Sequence, residues 1–93
     1  MGLTFAWDSR KALSNLQKHK IAFAEATTIF GDSFTITIPD PDHSELEERF
    51  VSIGVSNQGR LIVVVHTEKR SHLRLISARE ASRAERKFYE EGK

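Results

Sequence analysis

Val51-Ser52-Ile53-Gly54-Val55-Ser56-Asn57-Gln58-Gly59-Arg60-Leu61-Ile62-Val63-Val64-Val65 reads as two strands and the turn between them. Val51, Ile53 and Val55 alternate with small or polar residues, the period of a strand with one buried face, so the first strand is predicted from Glu48 to Ser56. Asn57-Gln58-Gly59 supplies hairpin chemistry. The second strand is predicted from Arg60 to Thr67. Its run Leu61 to Val65 is apolar on both faces, which places it at the centre of a sheet. Upstream, Phe34, Ile36 and Ile38 alternate with Thr35 and Thr37 and predict a half-buried strand ended by Pro39. Asp40-Pro41-Asp42 follows as a turn. Downstream, Glu68 to Ser71 turns the chain and His72 to Ile76 returns as a fourth strand.

Helical patterns stand on either side of this meander. Phe5 and Trp7 mark a short stretch able to add an edge strand. Asp8 is placed to N-cap a helix through about His19, with Ala12, Leu13 and Leu16 as its apolar stripe and Lys18 and His19 at its negative end. Phe23, Ala26, Thr27 and Phe30 repeat at helical spacing until Gly31 and Asp32 stop them. Ser77-Ala78-Arg79-Glu80 has the Ser-x-x-Glu spacing of a capping box, which predicts a C-terminal helix starting at Ser77 with Ala81, Ala84 and Phe88 on one face. The expected architecture is α+β: two N-terminal helices, an antiparallel meander of about four strands and a C-terminal helix, in a single domain spanning 1–93.

The chain has 93 residues and 10.6 kDa, enough for one thin core. A hydrophobic fraction of 39% argues against disorder. There is no cysteine, which excludes disulfides, thiolate zinc sites and a thiol nucleophile, and fits a reducing cytoplasm. No apolar run approaches the length of a membrane span, and Met1 to Asp8 does not read as a signal peptide. The net charge of +1 hides an asymmetry: residues 1–47 carry four basic and seven acidic side chains, residues 48–93 ten and six. Between Arg60 and Tyr89 eight basic residues face three acidic ones. A polyanion-binding face accounts for this, and so does a mixed solvated surface.

Several residues are able to carry chemistry. Arg79, placed by the capping-box reading in the first helical turn, would bind a phosphate together with free helical N–H groups. Arg83 and Arg86 lie away from the apolar stripe, as ordinary surface charges also do. The segment His43 to Arg49 holds His43, Glu48 and Arg49, groups suited to deprotonating a ribose 2′-hydroxyl and stabilising the charge that develops on phosphorus. Such a reaction needs no metal, because the nucleophile belongs to the substrate. A polar loop with surface Glu–Arg pairs has the same composition. His19, His43, His66 and His72 show no metal-site spacing, so no metal and no cofactor are expected. His66 is read as a sheet histidine. Trp7 and Tyr89 are able to stack on bases or to fill core.

Taken in order, the chain resembles the BrnT family of toxins. The residues that carry the resemblance are Phe5-Ala6-Trp7-Asp8 with Lys11 and Asn15, Lys18-His19, Phe23, Glu25-Ala26 and Phe30. His43-Ser44, Glu47-Glu48-Arg49, Ile53-Gly54 and Gly59-Arg60 continue it. Thr67 with Arg70, Ile76-Ser77-Ala78-Arg79 with Ala81, and Glu85-Arg86 with Tyr89 complete it. Two positions depart: Lys20 stands where the family usually has Gly, and Ala22 where a Ser commonly precedes Phe23. The first matters because Gly tolerates positive φ, and the second because a lost cap costs about 1 kcal/mol.

The resemblance implies a RelE-like fold and a toxin of a type II toxin–antitoxin system that cleaves RNA and slows translation in the cytoplasm. It implies neutralisation by a BrnA-like antitoxin with a ribbon-helix-helix part, a toxin pair on an antitoxin dimer, contact with operator DNA only through that antitoxin, and no membrane. The family's basic residues match Arg49, Arg70 and Arg79. On this reading Arg79 and Arg70 hold the scissile phosphate, Arg49 orients Glu48, and Glu48 and His43 share the roles of base and acid. Lys18, Lys69, Arg83 and Tyr89 contact the RNA. The alternatives are a non-catalytic RNA- or protein-binding module using the same basic face, and a structural partner without toxicity.

Overall fold

The structure is a computed structural model that describes residues 2–40 and 47–93. Its elements run β1 (Thr4–Trp7), α1 (Ser9–His19), α2 (Phe23–Thr27), a 3-10 turn (Thr28–Gly31), β2 (Ile36–Pro39), β3 (Arg49–Val55), β4 (Leu61–Lys69), β5 (His72–Glu80) and α3 (Arg83–Glu91). The five strands form one sheet in the order β1-β5-β4-β3-β2. β2 to β5 pair antiparallel as the alternation predicts, and β1 joins β5 parallel, making the sheet mixed.

β4 is central, and its two apolar faces serve two different layers. Ile62 and Val64 pack with Ile21, Phe23, Ala26, Ile29, Leu75 and Ala78 under α1 and α2. Leu61 and Val63 pack on the opposite face with Ile53 and Tyr89 of α3. At roughly 1.5–3 kcal/mol for each large apolar side chain buried, these two clusters are the main favourable term in a chain of this size. None of the described helices is long and apolar enough to cross a membrane.

α1 begins as predicted. The Asp8 carboxylate accepts hydrogen bonds from the backbone N–H of Arg10 (2.7 Å) and Lys11 (3.2 Å). The expected stripe does not all face the core: Leu13 and Leu16 are exposed, and the buried residue is Asn15. The cause is the position of α1 against β5. β1 stops pairing with β5 at Trp7 opposite Leu75, so the next backbone groups of β5 need another partner. Asn15 provides one. Its Nδ2 donates to Ala78 O (2.8 Å) and to Ile21 O (2.9 Å), and its Oδ1 accepts from Ala78 N (2.9 Å). Lys20 ends α1 with φ 61 and ψ 30, the left-handed conformation a Gly would adopt without cost. Ala22 starts α2 with no side-chain cap.

The largest departure lies at the C-terminal end. The Ser77 to Glu80 stretch is not a helix start but the end of β5, paired with β4 out to Ile62 opposite Glu80. A second Ser-x-x-Glu, Ser82 to Glu85, is the working capping box: Glu85 N donates to Ser82 Oγ and Ser82 N donates to Glu85 Oε1. Eight residues of β4 and the Asn15 amide claim the backbone of residues 72–80, and local capping chemistry yields to that ladder. The turn before β5 is also tighter than expected. Only Arg70 and Ser71 lie between β4 and β5, at φ 53 and φ 66. Both are left-handed, as a two-residue hairpin of this twist requires.

Besides the packing of Tyr89, one carboxylate ties α3 to the sheet. Asp32 Oδ2 accepts from the Tyr89 hydroxyl (2.5 Å) and from Val55 N (2.9 Å), while Oδ1 accepts from Phe34 N (3.0 Å). On the other face Glu25 is buried, pairs with Arg60 and accepts from Ser56 Oγ (2.7 Å). The Arg60 guanidinium hydrogen-bonded to it holds the Glu25 carboxyl below the usual carboxylate range. β2 is an edge strand, so Ile38 is exposed and Phe34 lies outside the strand.

Candidate nucleic-acid interface

The side of the sheet that carries α3 is only half covered by it. Strand alternation assigns Leu61, Val63, Val65, Thr67 and Lys69 of β4 to that side. Opposite them on β5 stand Arg79 (Val63), Ser77 (Val65), Arg74 (Thr67) and His72 (Lys69). Arg74 and Arg79 are five apart and in a regular strand would point to opposite faces. A β-bulge between Val65 and His66 adds one residue to β5, Ile76, and brings both arginines to one side. Arg49 of β3 faces Thr67 and joins them.

Each guanidinium meets a carboxylate. Arg79 Nη1 and Nη2 donate to the two oxygens of Glu85, both at 2.7 Å. Arg74 Nη2 donates to both oxygens of Glu47, at 3.1 and 3.0 Å, and Arg49 Nη2 lies 3.4 Å from the same group. The bidentate Arg79 pair lowers the Glu85 carboxyl to about 2 and raises Arg79 further. The pairs remain open to solvent, with the Arg74 side chain 49% and the Arg79 side chain 44% exposed. Such geometry suits phosphate, which offers the same planar pair of oxygen acceptors as a carboxylate.

The candidate residues are distributed unevenly over this surface. Arg49 and Arg79 lie on it, and Lys69 lies at its far end opposite His72. Arg70 lies in the β4–β5 turn, separated from Arg79 by nearly the length of β5, roughly 25 Å of extended strand. The two do not meet one phosphate. Glu48 is exposed and precedes β3, whereas its neighbour Glu47 makes the contacts to Arg49 and Arg74. His43 lies outside the described residues. Arg83 is exposed at the start of α3, and Lys18 lies on α1 beside Ser77.

Tyr89 does not offer a ring to a base: it is 3% exposed, its hydroxyl is committed to Asp32, and burial together with that carboxylate pushes it up to about 12. His66 is fully buried. Its Nε2 lies 2.7 Å from Ser52 Oγ, which is 2.6 Å from Thr37 Oγ1, and its Nδ1 lies 3.0 Å from Thr67 O. Desolvation lowers its pKa, so it is a neutral core group, as a sheet histidine should be.

Neither Arg74 nor Glu47 is among the site residues expected from the sequence, although Glu47 is among those that carry the resemblance. The signal for Arg74 is the alternation of exposed His72 and Arg74 with buried Leu73 and Leu75. Glu47 lies just before β3 and has no periodic signal; only its contacts to Arg49 and Arg74 bring it to this face.

A model of the ribonuclease toxin BrnT of type II toxin–antitoxin systems matches residues 7–85. The chain belongs to the BrnT family. The crystal structure of the Brucella abortus ribonuclease toxin BrnT is similar to this chain over 87% of its length and 99% of the Brucella chain, with 26% identity and a TM-score of 0.63. No curated protein matches the chain. The BrnT match takes in all of β5 and ends on Glu85, so it includes Arg74, Arg79 and the carboxylate that pairs with Arg79. Membership implies an RNA substrate and an antitoxin partner.

Proposed function

We propose that this chain is a metal-independent endoribonuclease whose reaction centre is the open half of the sheet between Arg49, Arg74 and Arg79. The observation that carries the reading is the bulge in β5, which gathers Arg74 and Arg79 on one side across from Arg49. A scissile phosphate exchanges with the carboxylates of Glu47 and Glu85, keeping each guanidinium paired while neutralising its own charge. The 2′-hydroxyl then attacks phosphorus, the O2′–P bond forms and the P–O5′ bond breaks, leaving a 2′,3′-cyclic phosphate and a 5′-hydroxyl. The arginines stabilise the extra charge on the phosphorane-like transition state. Glu47, freed from Arg74 and placed on this face, replaces Glu48 as the acceptor of the 2′-hydroxyl proton. His43 is retained as the group that protonates the leaving 5′-oxygen.

The consequence in the cell is inhibited translation in the cytoplasm. The partner is a BrnA-like ribbon-helix-helix antitoxin bound by a pair of toxins, with operator DNA reached only through it. Purified protein incubated with RNA in EDTA should yield 2′,3′-cyclic ends, and Arg79→Ala should form them at about a hundredth of the rate or less. RNA left intact by the wild type contradicts the reading. The carboxylate already on each guanidinium favours one alternative, a module that binds RNA without cutting it. That module would show salt-sensitive binding and no cyclic product.

A further inference from the structure

We propose that the groove between α1 and the bulged part of β5 is a second phosphate site, which holds the RNA backbone next to the linkage cut on the sheet face. The proposal rests on RNA being the substrate, as in the reading above. The groove is open to solvent, with a volume of ≈ 220 Å³, and its polar lining is Lys11, Ser14, Asn15, Lys18, His19 and Ser77. Lys11 and Lys18 are seven apart on α1 and Ser14 lies between them, so all three share one face of the helix. No carboxylate lines the groove, and neither lysine has an ion pair among the described residues. This distinguishes it from the sheet face, where every arginine already touches an acid. Two uncompensated ammonium groups beside two hydroxyls form a site for a phosphate, which takes charge from the first and hydrogen bonds from both.

The position ties the groove to the reaction centre. It exists because β1 ends at Trp7 and leaves the edge of β5 open to α1. Ser77 is the link: it lines the groove, and its register opposite Val65 gives it the same sheet side as Arg79. Ser77 and Arg79 are one strand period apart, about 7 Å. A strand of RNA lying against Arg79 therefore reaches the groove by crossing the β5 edge within one or two nucleotides.

The test uses the full chain, a labelled short 2′-O-methyl oligoribonucleotide that cannot be cut, and anisotropy titrations over a series of salt concentrations. Lys11→Ala/Lys18→Ala should weaken binding about tenfold and flatten the log Kd against log salt slope by roughly 0.7, the value for one phosphate on a single strand. Ser14→Lys adds a cation to the same face and should tighten binding and steepen the slope. Both lysines are exposed, so an unchanged thermal unfolding midpoint is expected to accompany the loss. Unchanged affinity and slope in the double variant, or no binding by the wild type, overturn the proposal. So does a polyglutamate peptide whose binding needs Lys11 and Lys18 while RNA binding does not. Lysine-dependent binding of the oligonucleotide together with intact ordinary RNA supports the groove and defeats the nuclease reading.

Discussion

Arg79 reaches its place through a strand, not a helix terminus, and that changes what it is able to do. Its guanidinium pairs with Glu85, which is held in position by the Ser82 capping box, and does not itself stand in the first turn of a helix. Replacing Arg79 or Arg74 with Ala is expected to slow cleavage by about 10²–10³-fold at saturating RNA, the range for losing one preorganised charge stabiliser. Single-turnover kinetics would measure it. Arg70→Ala, in the distant turn, should stay within about threefold of wild type on the same RNA. Tyr89→Phe separates a core role from an RNA-binding one. It removes the hydroxyl bonded to Asp32 and should cost about 1 kcal/mol in urea unfolding while leaving RNA affinity unchanged. A drop in affinity at full folding would show that the buried placement is wrong.

β5 is the element on which fold and site both depend. Its inward residues Leu73, Leu75 and Ala78 anchor the core, and its bulge sets the direction of every basic side chain after Ile76. Asn15 completes the ladder where β1 stops. Asn15→Ala would leave the N–H and C=O of Ala78 without partners and should cost about 2 kcal/mol, seen as a lower midpoint in thermal unfolding. The strands β3 and β4 were legible because period two and a two-sided apolar run are local properties of the chain. The end of β5 was not. Ser77-Ala78-Arg79-Glu80 and Ser82-Arg83-Ala84-Glu85 carry the same capping signal, and only pairing with β4 decides between them. A bulge leaves no local signature either, since it is a property of two strands in register. Arg70-Ser71 contains neither Asn nor Gly, so its left-handed turn could not be foreseen.

Across the whole molecule the charge asymmetry resolves into geometry. The excess of cations between Arg60 and Tyr89 divides: Arg60 is spent on Glu25, while Lys69, Arg74 and Arg79 share one sheet face. The two-sided core also sets an acid limit. His66 is buried neutral with a lowered pKa, so only the unfolded chain takes up its proton readily as pH falls below about 6.5. Stability should therefore be level above that value and decline from there down to the lowered folded-state pKa. His66→Gln should remove that part of the slope in urea unfolding at graded pH. The sequence showed which residues were basic and that a sheet would present some of them. It could not show which met, because Arg49, Arg74 and Arg79 come together only through strand order and register.

Cleavage of RNA in EDTA by wild type and by the Arg74→Ala, Arg79→Ala and Arg70→Ala variants tests the central claim most directly. The expected result is 2′,3′-cyclic product from wild type and Arg70→Ala and about a hundredth of that rate or less from the other two. Intact RNA with the wild type, or equal rates from the Arg79→Ala and Arg74→Ala variants and wild type, would contradict it.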